Sequence, residues 1–512
     1  MTNQKTNWKY ILIVSILAII VGGGILGYYR WIAKEKIGVP EVKAPKKPIF
    51  NLIKTKLAMI PEGYEIISKE YGGTIIFSPD GRKVAYIVAK EGKVTLFLND
   101  KEINTADRID FLKFSKDSRH LSYVYTLFGE ISNSHLVFND KEIATCENAY
   151  EINLSPDARH YACIIEKKAE DYKYGYFVNI DGKEEEVYDS IWNFNFSPNG
   201  ERYLYLARKN GKDFIVIDGK ENQVDGYIRE CHFSPDSQHL AYLIEKGKYE
   251  TVVVFDGKES KIYDYVFHPG LVFSPDSQHL AYRASREGDH FMVLDGEEGE
   301  FYLGVGFPSF SPDSKHFGHS AVTGTITSKT RDSISYTNEK HFLIIDGKVS
   351  SKIYDGGVGT PIFSPDGNRI GYIAQTKEKV TPYKPKSFIV FDNKEGKFYD
   401  KIINGPFFSP DGQHIAYIAR DNKRGSFLVV DQNEIKIDHD IIIDSIFFSP
   451  DSKHIAYKAV SGNRKFFVAI NGKEGETYDE IYGTPIFSPD GKHIAYGARK
   501  GDELWWIVDE IK

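Results

Sequence analysis

The chain has 512 residues, 41% of them hydrophobic and 14% aromatic, which leaves room for more than one ordinary domain. A formal net charge of −7 excludes a nucleic-acid binder by bulk charge. Three cysteines, Cys146, Cys163 and Cys231, give neither a disulfide framework nor metal-ligand spacing, and read as three small buried hydrophobes.

Residues 1–10 are a short N-terminal tail. From Ile11 to Tyr29 no residue is charged, and the stretch is long enough to cross a bilayer as a helix. Trp8, Tyr10, Tyr28, Tyr29 and Trp31 flank it as interfacial aromatics do. No small-residue cleavage site follows Tyr29, so residues 11–29 are expected to be an uncleaved signal-anchor rather than a signal peptide. Lys5 and Lys9 precede the span and Arg30, Lys34 and Lys36 follow it, nearly a tie for orientation. The expectation is a cytoplasmic tail with the body outside, in the periplasm or on the cell surface. Residues 30–61, with Pro40, Pro45 and Pro48 among lysines, read as a solvated spacer.

From residue 62 to 512 one phrase recurs, Phe-Ser-Pro-Asp-Gly-x-x-hydrophobic-Ala-Tyr. Its first residue falls at Phe77, Phe114, Leu154, Phe196, Phe233, Phe273, Phe310, Phe363, Phe408, Phe448 and Phe487. Each unit holds four short β-prone runs. Ser-Pro-Asp-Gly suits a turn between the first two. The fourth turn position is Gly, Ser or Ala, which argues for an ordinary type I turn without a left-handed residue. Asp-Gly at 181, 218, 256, 295 and 346, and Asn-Gly at 471, suit a tight hairpin between the last two runs. Four antiparallel strands repeated at this period make a propeller blade.

The phrase resembles the WD-repeat-like blade of TolB-type propellers, found also in propeller domains of prolyl-oligopeptidase-type peptidases. The resemblance spans about residues 62–512 and implies an all-β propeller of eleven blades. For TolB-type proteins it implies protein–protein contacts in the cell envelope. The separate N-terminal domain of TolB has no counterpart here. No nucleophile elbow stands outside the repeats, and Gly318-His319-Ser320-Ala321-Val322 lacks the closing glycine.

The last copy stops after three strands, and Gly63-Tyr64-Glu65-Ile66-Ile67 reads as the fourth that closes it. Even spacing between copies favours one large ring, while the usual four to eight blades favour two smaller propellers.

A histidine follows the first turn at 120, 160, 239, 279, 316, 414, 454 and 493, and an aspartate lies in most turns. One per blade is a structural pattern rather than a converging metal or catalytic set. No cofactor, metal or catalytic residue is expected. Asn153, Asn195, His232 and Lys113 break the repeat on inner strands without forming a recognisable set. The variable connections between second and third strands, the longest from about Ala321 to Lys340, are basic within an acidic chain. Lys168, Arg208, Arg283, Arg286, Arg331, Lys384, Arg420, Arg424, Arg464 and Arg499 are the candidate binding face, for a protein or anionic-glycan partner. The leading reading is a membrane-anchored scaffold or protein-binding module without catalysis. The alternative is a propeller lyase or glycoside hydrolase acting on an acidic glycan.

Overall fold

A computed structural model describes residues 51–67 and 75–511, with short breaks at 116–117, 130–131, 139–140, 148, 158, 169–173, 269, 332–333, 378–384, 438–439 and 462. The expected span at 11–29 lies outside the described residues. Among those described, no helix is long and apolar enough to cross a membrane.

The described chain forms eleven antiparallel sheets in sequence order, each a meander of four strands. In blades 1, 6 and 7 the first strand is split in two, as at Tyr265–Val266 and Val272–Phe273 in blade 6. The second strand carries an Ala-Tyr pair in six blades and Ser-Tyr, Leu-Tyr or Gly-Tyr in three others, and these tyrosines are buried between sheets. Tyr86, Tyr205, Tyr417, Tyr457 and Tyr496 are among the largest fully buried side chains. Apolar clusters cross successive blades, as where Leu204 and Leu206 of blade 4 meet Tyr242 and Ile244 of blade 5. Each blade thus shields its neighbour, as stacked repeats must.

The ring closes on itself. Phe77 of blade 1 packs against Tyr482 and Trp506 of blade 11, so eleven blades form one circle and not two propellers. The closing strand differs from the sequence expectation. Asn51–Met59 pairs along Glu503–Glu510 as the outermost strand of blade 11. Glu65–Ile66 instead belongs to the first strand of blade 1, against Val88 and Ala89. Residues 51–59 therefore belong to the last blade and not to the expected spacer. Lys54 and Lys56 give this edge strand the look of a linker. They point outward to Glu476 and Glu503, while Ala58 is buried.

Three further expectations are corrected. The fourth turn position is left-handed: Gly81, Gly200, Gly367, Gly412 and Gly491 have φ of 68–82°, and Ser118, Ser237, Ser277, Ser314 and Ser452 have φ of 61–69°. Serine accepts this backbone because its hydroxyl serves the neighbouring blade. Ser237, Ser277, Ser314 and Ser452 each accept the turn Asp or Asn N–H of the preceding blade at 3.0 Å. At Gly367 and Gly491 that approach is tighter, and a Cβ would lie within 2.6 Å of Asp313 or Asp451. The cysteines are not all free: Cys146 of blade 2 and Cys163 of blade 3 form a disulfide, and only Cys231 remains a buried thiol. Finally, the stretch from Ala321 to Lys340 is no loop. Phe317–Lys329 and Ile334–Ile345 form a long hairpin that projects from blade 7.

A meander gives the ring two faces. The Ser-Pro-Asp turns and Asp-Gly hairpins lie on one, and the connections from second to third and from fourth to next first strands lie on the other. Asn51 stands opposite Glu510, which itself pairs with His493 beside a Ser-Pro-Asp turn, so the chain enters from the turn face.

Candidate functional site

On the turn face the repeated histidines close local bonds. His160, His239, His279, His316 and His414 each contact the hairpin aspartate of their own blade at 2.5–2.7 Å, and the second oxygen of that aspartate accepts the next backbone N–H. Arg202 and Arg369 take the same place in blades 4 and 8. These are intrablade locks. Among the described residues no group of His, Cys, Asp and Glu could hold a metal ion.

The basic residues are largely closed as well. Arg208 forks onto Asp213 at 2.6 and 2.8 Å, Arg286 onto Glu298 at 3.0 and 2.8 Å, and Arg424 reaches Asp421 and Glu434. Arg499 donates to the carbonyl of Gly501. Arg420 and Arg464 are exposed. Lys168 ends the second strand of blade 3, and Lys384 lies outside the described residues. Arg331, at the tip of the blade 7 hairpin, reaches back to Asp264 of blade 5 at 2.5 Å and lies over Tyr249. Lys329 of the same hairpin holds Asp289 of blade 6 at 2.6 Å. The hairpin therefore straps the loop face of blades 5, 6 and 7 together.

That sector also breaks the repeat on its inner strands. Packed sheets stand ~10 Å apart and wedge-shaped blades approach more closely near the axis, so eleven inner strands enclose an opening on the order of 20–30 Å. Only adjacent blades can converge across such a width, and blades 5 and 6 do. Glu230, on the first strand of blade 5, is 5% exposed. It accepts from His232 Nε2 at 2.8 Å, His268 Nδ1 at 2.9 Å, and the N–H groups of Gly270 and Leu271 at 3.1–3.2 Å. The split in the first strand of blade 6 makes this possible, because it frees His268, Gly270 and Leu271 to bond to Glu230 of blade 5. Only glycine fits at 270, where a Cβ would meet the Phe267 carbonyl at 2.0 Å.

Burial would raise the Glu230 carboxyl, but the two imidazoles and the backbone donors outweigh it and hold it at about 2. The same bond raises His268 above its ordinary value. A fixed carboxylate thus orients two half-exposed imidazoles, leaving His268 Nε2 and His232 Nδ1 turned away from it.

Arg283 lies on the opposite face of blade 6, the one toward blade 7. The sequence placed it among loop cations, but it stands inside the second strand of blade 6, Leu280–Arg286. Other blades have Ile87, Val124, Leu206, Leu243 or Ile418 there, all buried. The guanidinium lies 3.9 Å from the Phe307 ring centroid and 5.0 Å from that of Phe267. Its Nε is buried without a hydrogen bond, and among the described residues no carboxylate pairs with it. Burial lowers its affinity for the proton, and its charge adds to burial in lowering that of His290. His232 was visible as a break in the repeat. Its link to His268 was not, because His268 comes from the next blade.

A second feature lies on the outer rim. The residue before the fourth-strand Tyr is apolar and exposed in five blades: Val187, Ile262, Phe301, Ile353 and Phe398. The following Tyr turns inward to bridge the third strand, as Tyr188 does to Tyr176 and Tyr399 to Ser387. These residues share one repeat position and so stand at one level of the ring, toward the loop face.

No family model and no curated protein matches the chain. Among solved structures, a eukaryotic initiation factor is 13% identical over 77% of this chain and 97% of its own, with a TM-score of 0.36. The β-propeller domain of the Trilobed protease from Pyrococcus furiosus is 15% identical over 58% of this chain and 99% of its own, with a TM-score of 0.25. A putative TolB from Agrobacterium tumefaciens is 16% identical over 50% of this chain and 94% of its own, with a TM-score of 0.22. The strand topology itself establishes the propeller.

Proposed function

We propose that this protein is a membrane-tethered, extracytoplasmic propeller that docks a protein partner on its loop face. The observation that carries this reading is the rim of five exposed apolar side chains at one repeat position. They stand one per blade at one level, so a partner lying along the rim would meet several of them in turn. The Cys146–Cys163 disulfide supports an oxidising compartment. Entry of the chain at Asn51 on the turn face supports a tether there, which leaves the loop face free. Arg420 and Arg464, both exposed, add positive charge to that face.

The test is site-specific photo-cross-linking from positions 301 and 398 of the full chain in intact membranes. One partner is expected, lost when Phe301→Asp and Phe398→Asp are combined and weakened by Arg420→Glu with Arg464→Glu. Capture unaffected by these changes would overturn the reading. One observation favours a second reading, an enzyme acting on an acidic glycan: the Glu230-oriented imidazole of His268 has the arrangement of a general base. Turnover of such a glycan, abolished by His268→Ala, would replace the docking reading.

A further inference from the structure

An arginine at an aliphatic core position needs a reason. A desolvated guanidinium without an anion costs stability, and a leucine in its place would not. The Phe307 and Phe267 ring centroids lie 3.9 and 5.0 Å from the guanidinium carbon and Nε is buried, which leaves the two terminal N–H₂ groups to meet a ligand. A planar fork between two rings selects a planar acceptor, and a carboxylate meets it with two parallel bonds. The surroundings define the rest of the ligand. Phe307 is 49% exposed and Tyr265 is 43% exposed, so both offer apolar ring faces. His268 and His232, held by Glu230 on the side of blade 6 toward blade 5, offer polar groups on the adjoining stretch of the inner wall.

A sugar acid has these features together: one carboxylate, hydroxyls around a ring, and a less polar ring face. We propose that the inner wall of blades 5–7 binds a uronate-type sugar, with Arg283 receiving its carboxylate. This site is separate from the rim, and it does not depend on the docking reading.

The test is calorimetric titration of the full chain in detergent micelles with four probes. They are a uronic-acid trisaccharide, the neutral trisaccharide of the same linkage, a peptide with a free C-terminal carboxylate, and inorganic phosphate. Saturable binding of the uronate is expected, with the neutral sugar at least ~10-fold weaker, as loss of a charged hydrogen bond implies. Arg283→Leu restores the residue type of the other blades. It should fold with an unchanged or higher Tm and lose at least ~10-fold in affinity. Arg283→Lys keeps the charge without the fork and should lose an intermediate amount. Phe301→Asp on the rim should leave the affinity unchanged. The proposal is overturned if Arg283→Leu binds as well as the parent protein, if the neutral sugar binds equally, if only the peptide or phosphate binds, or if none does.

Discussion

Arg283 and Lys458 occupy the same repeat position, in blades 6 and 10, and both put a cation where most blades have a buried aliphatic residue. Lys458 reaches across to blade 11 and donates to the carbonyls of Ile481 and Gly483 at 3.4 and 3.2 Å. Its charge is absorbed by the next blade and works as a staple. Arg283 reaches toward blade 7 and finds an aromatic ring in place of an acceptor. The two wedges show that a break in the repeat is not by itself a site. What distinguishes a site is a polar group that the fold leaves unanswered. Around most of the ring such groups are answered locally, by the histidine–aspartate locks, the serine caps and the paired loop arginines. On the inner wall of blades 5–7 they are held in place yet turned outward.

The largest test of that contrast removes its fixed centre. Glu230→Ala leaves two imidazoles and two backbone donors without their acceptor. It should cost about 3–5 kcal/mol, as breaking a buried charged network does. Denaturation of the full chain measures this, and hydrogen exchange at Gly270 and Leu271 localises the loss. The pH dependence has a defined sign. The folded Glu230 carboxyl is depressed to about 2, below its ordinary 4.5. Its contribution is therefore complete above about 4.5 and fades as pH falls toward 2, for a total on the order of 3 kcal/mol. His268 is raised in the folded state, so its share is complete below about 6.5 and fades as pH rises through its elevated value. The wall should be firmest between roughly pH 4.5 and 6.5. A flat stability profile from pH 2 to 5 in the parent protein, matched by Glu230→Gln, would remove the argument.

Next in size is the disulfide between blades 2 and 3, which closes a separation of 17 residues. Chain-entropy reasoning gives about 3 kcal/mol for a loop of that length. A combined Cys146→Ser and Cys163→Ser variant should show a correspondingly lower Tm, and reductant should shift the parent protein but not the variant. The direct comparison of the two cations is smaller. Lys458→Leu strands two carbonyls and should destabilise by about 1–2 kcal/mol. Arg283→Leu strands nothing and should stabilise by about 1 kcal/mol. The reverse result, with Arg283→Leu destabilising and Lys458→Leu stabilising, would mean that Arg283 and not Lys458 is the staple.

The repeat made the blades, their number and the single ring legible, because Phe-Ser-Pro-Asp and Asp-Gly report local turns. What stayed hidden depends on residues from different blades. The closing strand Asn51–Met59 carries Lys54 and Lys56 on its outer side, so its alternation looks like a spacer. The left-handed turn position looked permissive because the partner of Ser277 is a backbone N–H one blade earlier. Glu230 is separated by 38 residues from His268, and the link between them depends on a strand split that spacing alone does not show. Arg283 was visible as a charge but was assigned to a loop, since a cation inside a core strand runs against the pattern that defined the strand.

The smallest effect belongs to Ser277, which sits in the same blade as Arg283 but follows the rule of the perimeter. Its hydroxyl accepts the Asp236 N–H, and its backbone is left-handed at φ 67°. Ser277→Ala removes the acceptor and keeps a Cβ in an unfavourable conformation, so it should cost about 1 kcal/mol. Ser277→Gly also removes the acceptor but relieves the backbone, and should cost only a few tenths of a kcal/mol. The order of these two variants, read by urea denaturation, separates the two contributions. If Ala and Gly destabilise equally, the serine is retained for its bond to blade 5 alone. If Gly is as stable as Ser, the left-handed turn sets the residue choice, and the interblade cap adds little to holding the blades together.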